Sequence, residues 1–586
     1  MTTTRAPVRS FGGTVAAGHY LATQIGAQML ASGGNAADAA CAMGAALWVL
    51  EPTQNGPGGE VPILVRDPRE DRVVVISGQG PAPAAATIEH FEQLGLSLIP
   101  PDGLLSAAIP GALDAWCQLL ERYGTRRLSE VFAPARALAE RGFPMYPFLR
   151  VLLELIAPRF EREWPSSAAI YTPVPPIGGR QTNPAMAAWL KRLCDADRQA
   201  SGREAGIRAA RAVFYEGPDA EAIERFLTQP VKDASGEAHA GLLTAHDLAT
   251  YTGACEEPAH LASRGSRVWK AGAWSQGPVF LQQLALLGAT PLGDLSTADA
   301  LHRWIEVAKL AFADRDACYG DPAFVKVPLD RLLSAEYAAE RARRIDPKQA
   351  SRELVPGMGR LPKGWPLGAA APQAPVEPGA LAASRGRTDT TMCVASDASG
   401  LVIAATPSGG WIPTSPVVPE LGFPVGTRLQ MAVLDPEHPN ALAPGKRPRT
   451  TLSPSLAELP DGRWLAFGTP GGDQQDQWTS QFFLRVLDQI ARGENDLQAA
   501  IDAPTVHSDH MPSSFYPRHA KPAAISAETR FADGVLEDLE GRGHDVLRAG
   551  PWAHGRVLAA SHDPATGVQE AAASPRFAVA DAIAVP

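Results

Sequence analysis

Residues 387–408 read Arg387-Thr-Asp-Thr-Thr-Met-Cys-Val-Ala-Ser-Asp-Ala-Ser-Gly-Leu-Val-Ile-Ala-Ala-Thr-Pro-Ser408. A pair of threonines, Thr390 and Thr391, opens two short apolar runs separated by a polar Asp-Ala-Ser-Gly turn, the pattern of a strand, a turn and a second strand. The threonines have two readings. β-Branched residues favour strands, so they can be an ordinary strand start. A Thr hydroxyl can also be a nucleophile if a base sits beside it, and a chain cut before Thr390 would supply one in its own new α-amino group. That amine titrates near ~8, against ~10.4 for lysine, so it accepts protons near neutral pH.

Upstream of this stretch the chain loses periodicity. From about Val355 to Asp389 it is rich in Pro, Gly and Ala, and the expectation is a linker longer than compact domains usually carry without a functional reason. The division expected is residues 1–354, a linker 355–389, and residues 390–586.

Before the linker, residues 21–34 have helical spacing, with Ile25, Met29 and Leu30 on one face and Gly33-Gly34 as the stop. Asn35 is placed to cap a second, Ala-rich helix ending near Leu50, which should be buried and closely packed. Residues 61–78 read as two strands around a charged turn, and Ala112–Tyr123 and Ala298–Cys318 as amphipathic helices. After Thr390, short strands are expected at 390–394, 400–406, 427–434, 451–459 and 464–469. A helix should follow at about 475–492, and edge or meander strands over 556–585. This order suggests an α+β layered sandwich.

Composition narrows the function. Hydrophobic residues make up 45% and charged residues 20%, ordinary for a globular chain, and 54 Gly with 53 Pro stay below the ~25–30% that marks low complexity. A formal charge of −10 argues against nucleic acid and anionic membrane surfaces as partners. The early apolar run Ala36–Leu50 is too short to span a bilayer. The first residues lack the apolar core of a secretory leader, so a cytoplasmic location is expected. The six cysteines are far apart, with no C-x-x-C, and read as reduced core residues.

The ordered blocks Ser32-Gly-Gly-Asn-Ala-Ala-Asp-Ala-Ala, Glu51-Pro52…Gly58-Gly59, Ile109-Pro-Gly-Ala, Gly241-Leu-Leu-Thr-Ala-His-Asp-Leu-Ala, Ala308-Lys-Leu-Ala-Phe-Ala-Asp-Arg-Asp, Gly320-Asp-Pro, Lys446-Arg-Pro and Pro470-Gly-Gly span nearly the whole chain. In that order they resemble the gamma-glutamyltranspeptidase family of N-terminal-nucleophile hydrolases. The resemblance implies a four-layer αββα sandwich and self-cleavage between Asp389 and Thr390. The products, 1–389 and 390–586, would stay together as a heterodimer acting on a small-molecule amide without metal or organic cofactor. It implies Thr390 as nucleophile and base, Gly471 and Gly472 as the oxyanion hole, and Ser408 as the hydroxyl supporting Thr390.

The departures are as informative. Where typical members carry an arginine for the substrate α-carboxylate, in Ala-Pro-x-x-x-x-Arg-x-x-Phe, this chain has Ala82-Pro-Ala-Ala-Ala-Thr-Ile88-Glu-His-Phe91. The acidic residue for the α-ammonium falls at Met431, an asparagine near the nucleophile falls at Gly410, and the adjacent-serine pair becomes Thr450-Thr451. Losing both charged anchors points away from a γ-glutamyl donor and toward the subgroup that includes oxamate amidohydrolases and cephalosporin acylases. Arg428 could then hold a carboxylate elsewhere on the substrate. The competing readings are a true γ-glutamyltransferase or glutathione hydrolase, and an uncleaved binding scaffold.

Each residue also has an ordinary reading: a plain turn for Gly471-Gly472, a loop serine for Ser408, a structural cation for Arg428, strand residues for Thr450 and Thr451. His507-Ser-Asp-His510 places His507 and Asp509 on one face of an extended segment, which does not define a metal site. Gly56-Pro-Gly-Gly59 lacks the Lys-Ser/Thr of a phosphate loop. Trp274-Ser-Gln-Gly277 lacks a G-x-S-x-G elbow.

Overall fold

The computed structural model describes residues 3–288, 292–363, 390–576 and 579–586. Two seven-stranded antiparallel sheets stack face to face. The first runs Asp581–Val585, Gly13–Ala17, Cys393–Asp397, Val402–Ala405, Ile63–Asp67, Arg72–Ile76, Cys255–Glu256. The second runs Val8–Ser10, Gln569–Ala573, Leu558–His562, Trp464–Gly468, Ser455–Glu458, Ser266–Lys270, Ala259–Ser263.

Side-chain alternation builds the layers. In the first sheet Val15, Ala17, Cys393, Ala395, Ile403 and Ala405 face the helices Tyr20–Ala31, Ala36–Leu50 and Ala112–Tyr123. Their neighbours Ala16, Val394, Val402 and Ala404 face the second sheet, against Leu456, Ala466, Leu558 and Ala560. The other side of the second sheet packs on the helices Gly277–Leu287, Ala298–Cys318 and Gln475–Ala491 through Val268, Ala457, Leu465, Phe467 and Ala559. Strands covered on both faces read as continuous apolar runs, as Val-Ile-Ala-Ala at 402–405 does. The result is the expected αββα order.

Local chemistry sets the helix ends. Asn35 Oδ1 accepts from the Asp38 amide at 3.1 Å while Asp38 Oδ2 accepts from the Asn35 amide at 2.9 Å, a reciprocal cap. The helix behind it is buried along its whole length, and it needs small residues: a Cβ at Gly44 would lie 2.2 Å from the Trp116 ring.

Three expectations change. Residues 427–434 are not a strand: Arg428–Met431 is a 3-10 turn, because Leu429 N–H bonds Ser106 O and Ala432 N–H bonds Leu429 O, leaving no ladder. Residues 355–363 are tied to the body, with Gly357 N–H on Asp314 Oδ1 at 2.7 Å and Arg360 on Asp435 at 2.7 Å, so the linker cannot start at 355. The rest of the expected linker, Asp389 included, lies outside the described residues. Cys255 is exposed on an edge strand, whereas the other five cysteines are buried. Of the C-terminal strands, Leu558–His562 and Gln569–Ala573 are paired on both sides and only Asp581–Val585 is an edge. Among the described residues no helix is long and apolar enough to cross a membrane.

Candidate active site

Cys393–Asp397 and Val402–Ala405 form a hairpin in which Cys393 faces Ala405. Asp397 Oδ1 accepts from the Ser399 amide at 2.8 Å and Gly400 takes φ +82°, closing the turn. The same register, carried three residues toward the open end, puts Thr390 opposite Ser408. Their hydroxyls lie 3.1 Å apart, both buried. Pro407, which has no N–H to give, offers its carbonyl to the Thr391 amide at 3.0 Å. Thr391 points the other way, its hydroxyl facing Glu51. Burial pushes the Glu51 carboxyl above its ordinary value, against the opposing pull of the Thr391 hydroxyl, Arg556 and Gln54.

Ser408 is paired on its other side with Glu60, through Glu60 N–H to Ser408 O and Ser408 N–H to Glu60 O, each 2.9 Å. Gly409 follows at φ +70°, and a Cβ there would lie 2.4 Å from Glu60 Oε2, so glycine leaves room for the carboxylate. Gly410, at φ +62°, packs on the Gly56–Gly59 loop, where a Cβ would stand 3.0 Å from Gly59 N. A side chain at this position would press on that loop.

Arg428 enters from the 3-10 turn. Its Nε donates to Glu60 Oε1 at 2.5 Å, its Nη2 to Ser408 Oγ at 3.1 Å and its Nη1 to Met431 Sδ at 3.3 Å, and its guanidinium lies 4.8 Å over the Trp411 ring. The guanidinium is thus buried and already ion-paired to the Glu60 carboxylate. Ile88 opens the short helix Ile88–Gln93 and packs with Phe91, Leu429 and Ala432. Of the two positions that would carry charged anchors, Ile88 packs in this apolar cluster and Met431 is a buried apolar residue whose sulfur faces Arg428.

The Gly471-Gly472 turn links the strand Trp464–Gly468 to the helix Gln475–Ala491. Gly471 holds φ +130° and Gly472 φ +55°. Among the described residues no hydrogen bond uses either N–H, so both donors remain for a ligand. The turn is braced from behind. Gln276 Nε2 donates to Gly472 O at 3.2 Å. Asp473 is ion-paired with Arg315 and accepts from the Ser514 hydroxyl at 2.6 Å. Burial would raise the Asp473 carboxyl, but Arg315 and Ser514 outweigh it and hold it below its ordinary value. Thr450 joins the same brace, its N–H on Trp274 O and its carbonyl accepting from Gln276 N–H, both 2.9 Å. The Thr451 hydroxyl beside it is buried and makes no hydrogen bond among the described residues.

Arg556 ties the parts together. Its backbone N–H donates to Thr469 Oγ1 at 2.9 Å, just before the glycine turn; Nη1 donates to Gln54 Oε1 at 2.7 Å; and Nη2 reaches the Thr390 carbonyl at 3.5 Å. Gln54 in turn donates to Glu51 Oε1 at 2.8 Å. Glu60, Gln54, Trp411 and Arg556 are the site residues that sequence reading missed; the only signal for Glu60 was an acidic residue inside a glycine-rich loop.

Among the described residues one group has donor atoms close enough to hold a metal ion: His302, Glu306 and His544, within 4.8 Å of one another. His302 Nδ1 and His544 Nε2 already share a 2.9 Å hydrogen bond, and the Lys309 ammonium lies 2.6 Å from Glu306. That cation neutralises the carboxylate, so the group is a structural one. His507 and Asp509 do pair, at 3.4 Å, while His510 Nε2 faces Glu353 O at 3.2 Å.

The gamma-glutamyltranspeptidase family pattern matches residues 22–583. The chain belongs to the gamma-glutamyltranspeptidase family. Its relatives include the Acylase ACY 1 proenzyme of Pseudomonas sp. (strain SE83), 32% identical over 577 residues, 95% of this chain and 91% of that protein. Two solved structures are similar over the whole chain. LmbA2991HD is 46% identical, with a TM-score of 0.93 and all of both chains covered. The cephalosporin acylase of Bacillus halodurans is 29% identical, with a TM-score of 0.82, covering 100% of this chain and 98% of that one. As a family member the chain is a hydrolase or transferase acting on amide bonds, with the N-terminal-nucleophile fold.

Proposed function

We propose that this gamma-glutamyltranspeptidase-family chain cuts itself between Asp389 and Thr390, and that Thr390 then serves as nucleophile and base toward a small-molecule amide. The observation that carries the reading is the buried Thr390–Ser408 hydroxyl pair, set by strand register and braced by Arg556. The nascent Thr390 Oγ bonds to the Asp389 carbonyl carbon, the Asp389–Thr390 C–N bond breaks, and water hydrolyses the resulting ester. This leaves a carboxylate on one product, 1–389, and a free amine on the other, 390–586, which remain associated.

In turnover Oγ attacks the substrate carbonyl and its proton passes to the α-amine. The Gly471 and Gly472 N–H groups take the oxyanion, a role in which one donor is worth about 3–4 kcal/mol. The C–N bond breaks as the ammonium returns the proton to the leaving amine, and water or an acceptor amine releases the acyl group.

The acyl group is not γ-glutamyl. Ile88 and Met431 offer no charge to an α-amino-acid head, and Arg428 is neutralised by Glu60. The acylase names among the relatives support an acyl group that needs no such anchor.

The test is to offer a panel of amides, quench, and weigh the 390–586 product. A covalent adduct on Thr390 from a non-amino-acid amide supports the reading. Glutathione or a γ-glutamyl anilide turned over far better than every other amide would overturn the acyl assignment. Thr390→Ala should run as one full-length band; if it is still cut, the nucleophile is assigned wrongly.

A further inference from the structure

Two glycines at positive φ make a soft turn, because neither Gly471 nor Gly472 has a side chain whose packing would aim its N–H. The aim has to come from outside the turn, and here two outside contacts meet at one side chain. Arg315 sits in the last turn of the helix Ala298–Cys318. Its Nη1 serves two acceptors, Gln276 Oε1 at 3.0 Å and the Asp473 carboxylate. Asp473 follows Gly472 directly, and Gln276 is the residue whose Nε2 donates to Gly472 O.

The two ends of a glutamine amide have nearly the same shape, so its orientation is decided by its partners. A guanidinium only donates; Arg315 therefore claims Oε1 and turns the NH2 end toward the Gly472 carbonyl. Arg315 is itself held. Its Nε donates to Asp316 Oδ1 at 2.9 Å, and its guanidinium lies 4.5 Å over the Phe312 ring. Arg449 Nη1 pairs with Asp316 Oδ1 at 3.0 Å and donates to Arg315 O at 3.2 Å, while its Nη2 donates to Ser514 Oγ at 3.2 Å. Ser514 closes the ring, its hydroxyl on Asp473 Oδ1 at 2.6 Å and its amide on Asp473 Oδ2 at 2.7 Å. All five residues of the ring are buried, and its two arginines balance its two aspartates.

We propose that Arg315 is a positioning residue for the oxyanion donors: it orients Gln276, anchors Asp473, and through these two holds the Gly471-Gly472 turn in place. The inference rests on the reading of that turn as the oxyanion site. It gives Arg315 and Gln276 a part in the reaction that is exercised through the turn.

Such a brace acts on the transition state. The donors meet an oxygen that carries full charge only there, so misdirecting them lowers kcat and leaves KM nearly unchanged. Arg315→Lys keeps a cation beside Asp473 but loses the fork, so it cannot serve Gln276, Asp473 and Asp316 together. Gln276→Met keeps the bulk and removes the donor on Gly472 O. Each should lower kcat about tenfold to a hundredfold, the range for a shift of about 1 Å transmitted from outside the site, with KM within about twofold. Because both act through one turn, the losses should not multiply. The double variant should fall no more than about threefold below the worse single one.

The experiment uses the cut wild-type enzyme, the two single variants, the double variant and Gly471→Ala. Cutting is followed on denaturing gels, the fold by circular dichroism, and kcat and KM on a chromogenic anilide that the wild type hydrolyses. Lowered kcat at steady KM, with losses that do not multiply, supports the proposal. Wild-type kcat in either single variant, losses carried by KM, or losses that multiply overturn it. If Arg315→Lys or the double variant does not fold, the same cycle is run between Gln276→Met and Asp473→Asn, the two arms that Arg315 joins; multiplying losses there overturn the proposal and shared losses support it. Gly471→Ala at wild-type turnover would remove the turn as oxyanion site and the proposal with it. Gly471→Ala impaired beside an unimpaired Arg315→Lys overturns the proposal alone.

Discussion

Replacing Gly471 by alanine should abolish most turnover while leaving substrate binding nearly intact. Gly471 holds φ +130°, where a side chain costs about 1–3 kcal/mol in backbone strain. The new Cβ would also lie 2.2 Å from Trp478 Cζ3. Carbon atoms rest ~3.5 Å apart, so turn or ring must retreat by about 1.3 Å. Trp478 cannot retreat freely, because it is buried, stacked on His554 and set edge-on against His507. The turn moves instead, and donors that work only at ~2.7–3.1 Å leave the oxyanion position. Turnover should drop about a hundred- to a thousandfold, with KM changing little, because the lost contact forms only in the transition state. The assay is steady-state hydrolysis of a chromogenic anilide that the wild type turns over, paired with thermal melts. The double variant Gly471→Ala/Trp478→Val removes the clash but not the strain. It should recover part of the lost stability and little of the turnover. Gly471→Ala with turnover within threefold of wild type would refute this account of the turn.

Two further outcomes concern stability. Gly44→Ala sits mid-helix, where alanine ordinarily gains about 1 kcal/mol over glycine. Here its Cβ would meet the buried Trp116 ring at 2.2 Å, and overpacking of about 1–3 kcal/mol or more wins, so the melting temperature should fall. Gly95→Ala, with nothing within 4 Å of its Cβ and φ +72°, tests backbone strain alone and should lose less. The protein should also weaken in mild acid. Burial holds His438 and His510 at about 4, and His19 and His544 at about 3, against 6.5 when unfolded. Their contribution is complete above pH 6.5. As pH falls toward 4 the unfolded chain binds protons the folded chain refuses, and each histidine removes about 1.4 kcal/mol per pH unit. Melts from pH 7.5 to 4.5 should show a steep decline; a flat profile would contradict the burial of these side chains.

What could be read from the chain followed how local its cause was. Asn35 as a cap, the Ala-rich helix behind it and the hairpin after Thr390 depend on neighbours within a few residues, and all three stand where the pattern put them. The Thr427–Leu434 stretch alternates like a strand but has no partner ladder, and only the folded chain shows that Ser106 takes its N–H. Arg428 offered a cation without revealing its counter-charge, because Glu60 lies 368 positions away. Arg556 and Gln54 are 502 positions apart and carry no motif. A charged side chain's role depends on what neutralises it, and that is a property of the fold.

The strand that begins just after Thr390 lies inside the first sheet, between Gly13–Ala17 and Val402–Ala405. Across both sheets, strands from before and after residue 390 are interleaved: Gly13–Ala17 pairs with Asp581–Val585, Val402–Ala405 with Ile63–Asp67, Val8–Ser10 with Gln569–Ala573, and Ser455–Glu458 with Ser266–Lys270. Scission at that point would change the molecularity of unfolding without moving an atom of the ladders. The intact chain unfolds as one body, with a midpoint independent of concentration. The cut enzyme would unfold by dissociation, with a midpoint that rises with concentration and a refolding step of second order. A dilute enzyme, once melted, would then have to find its other half.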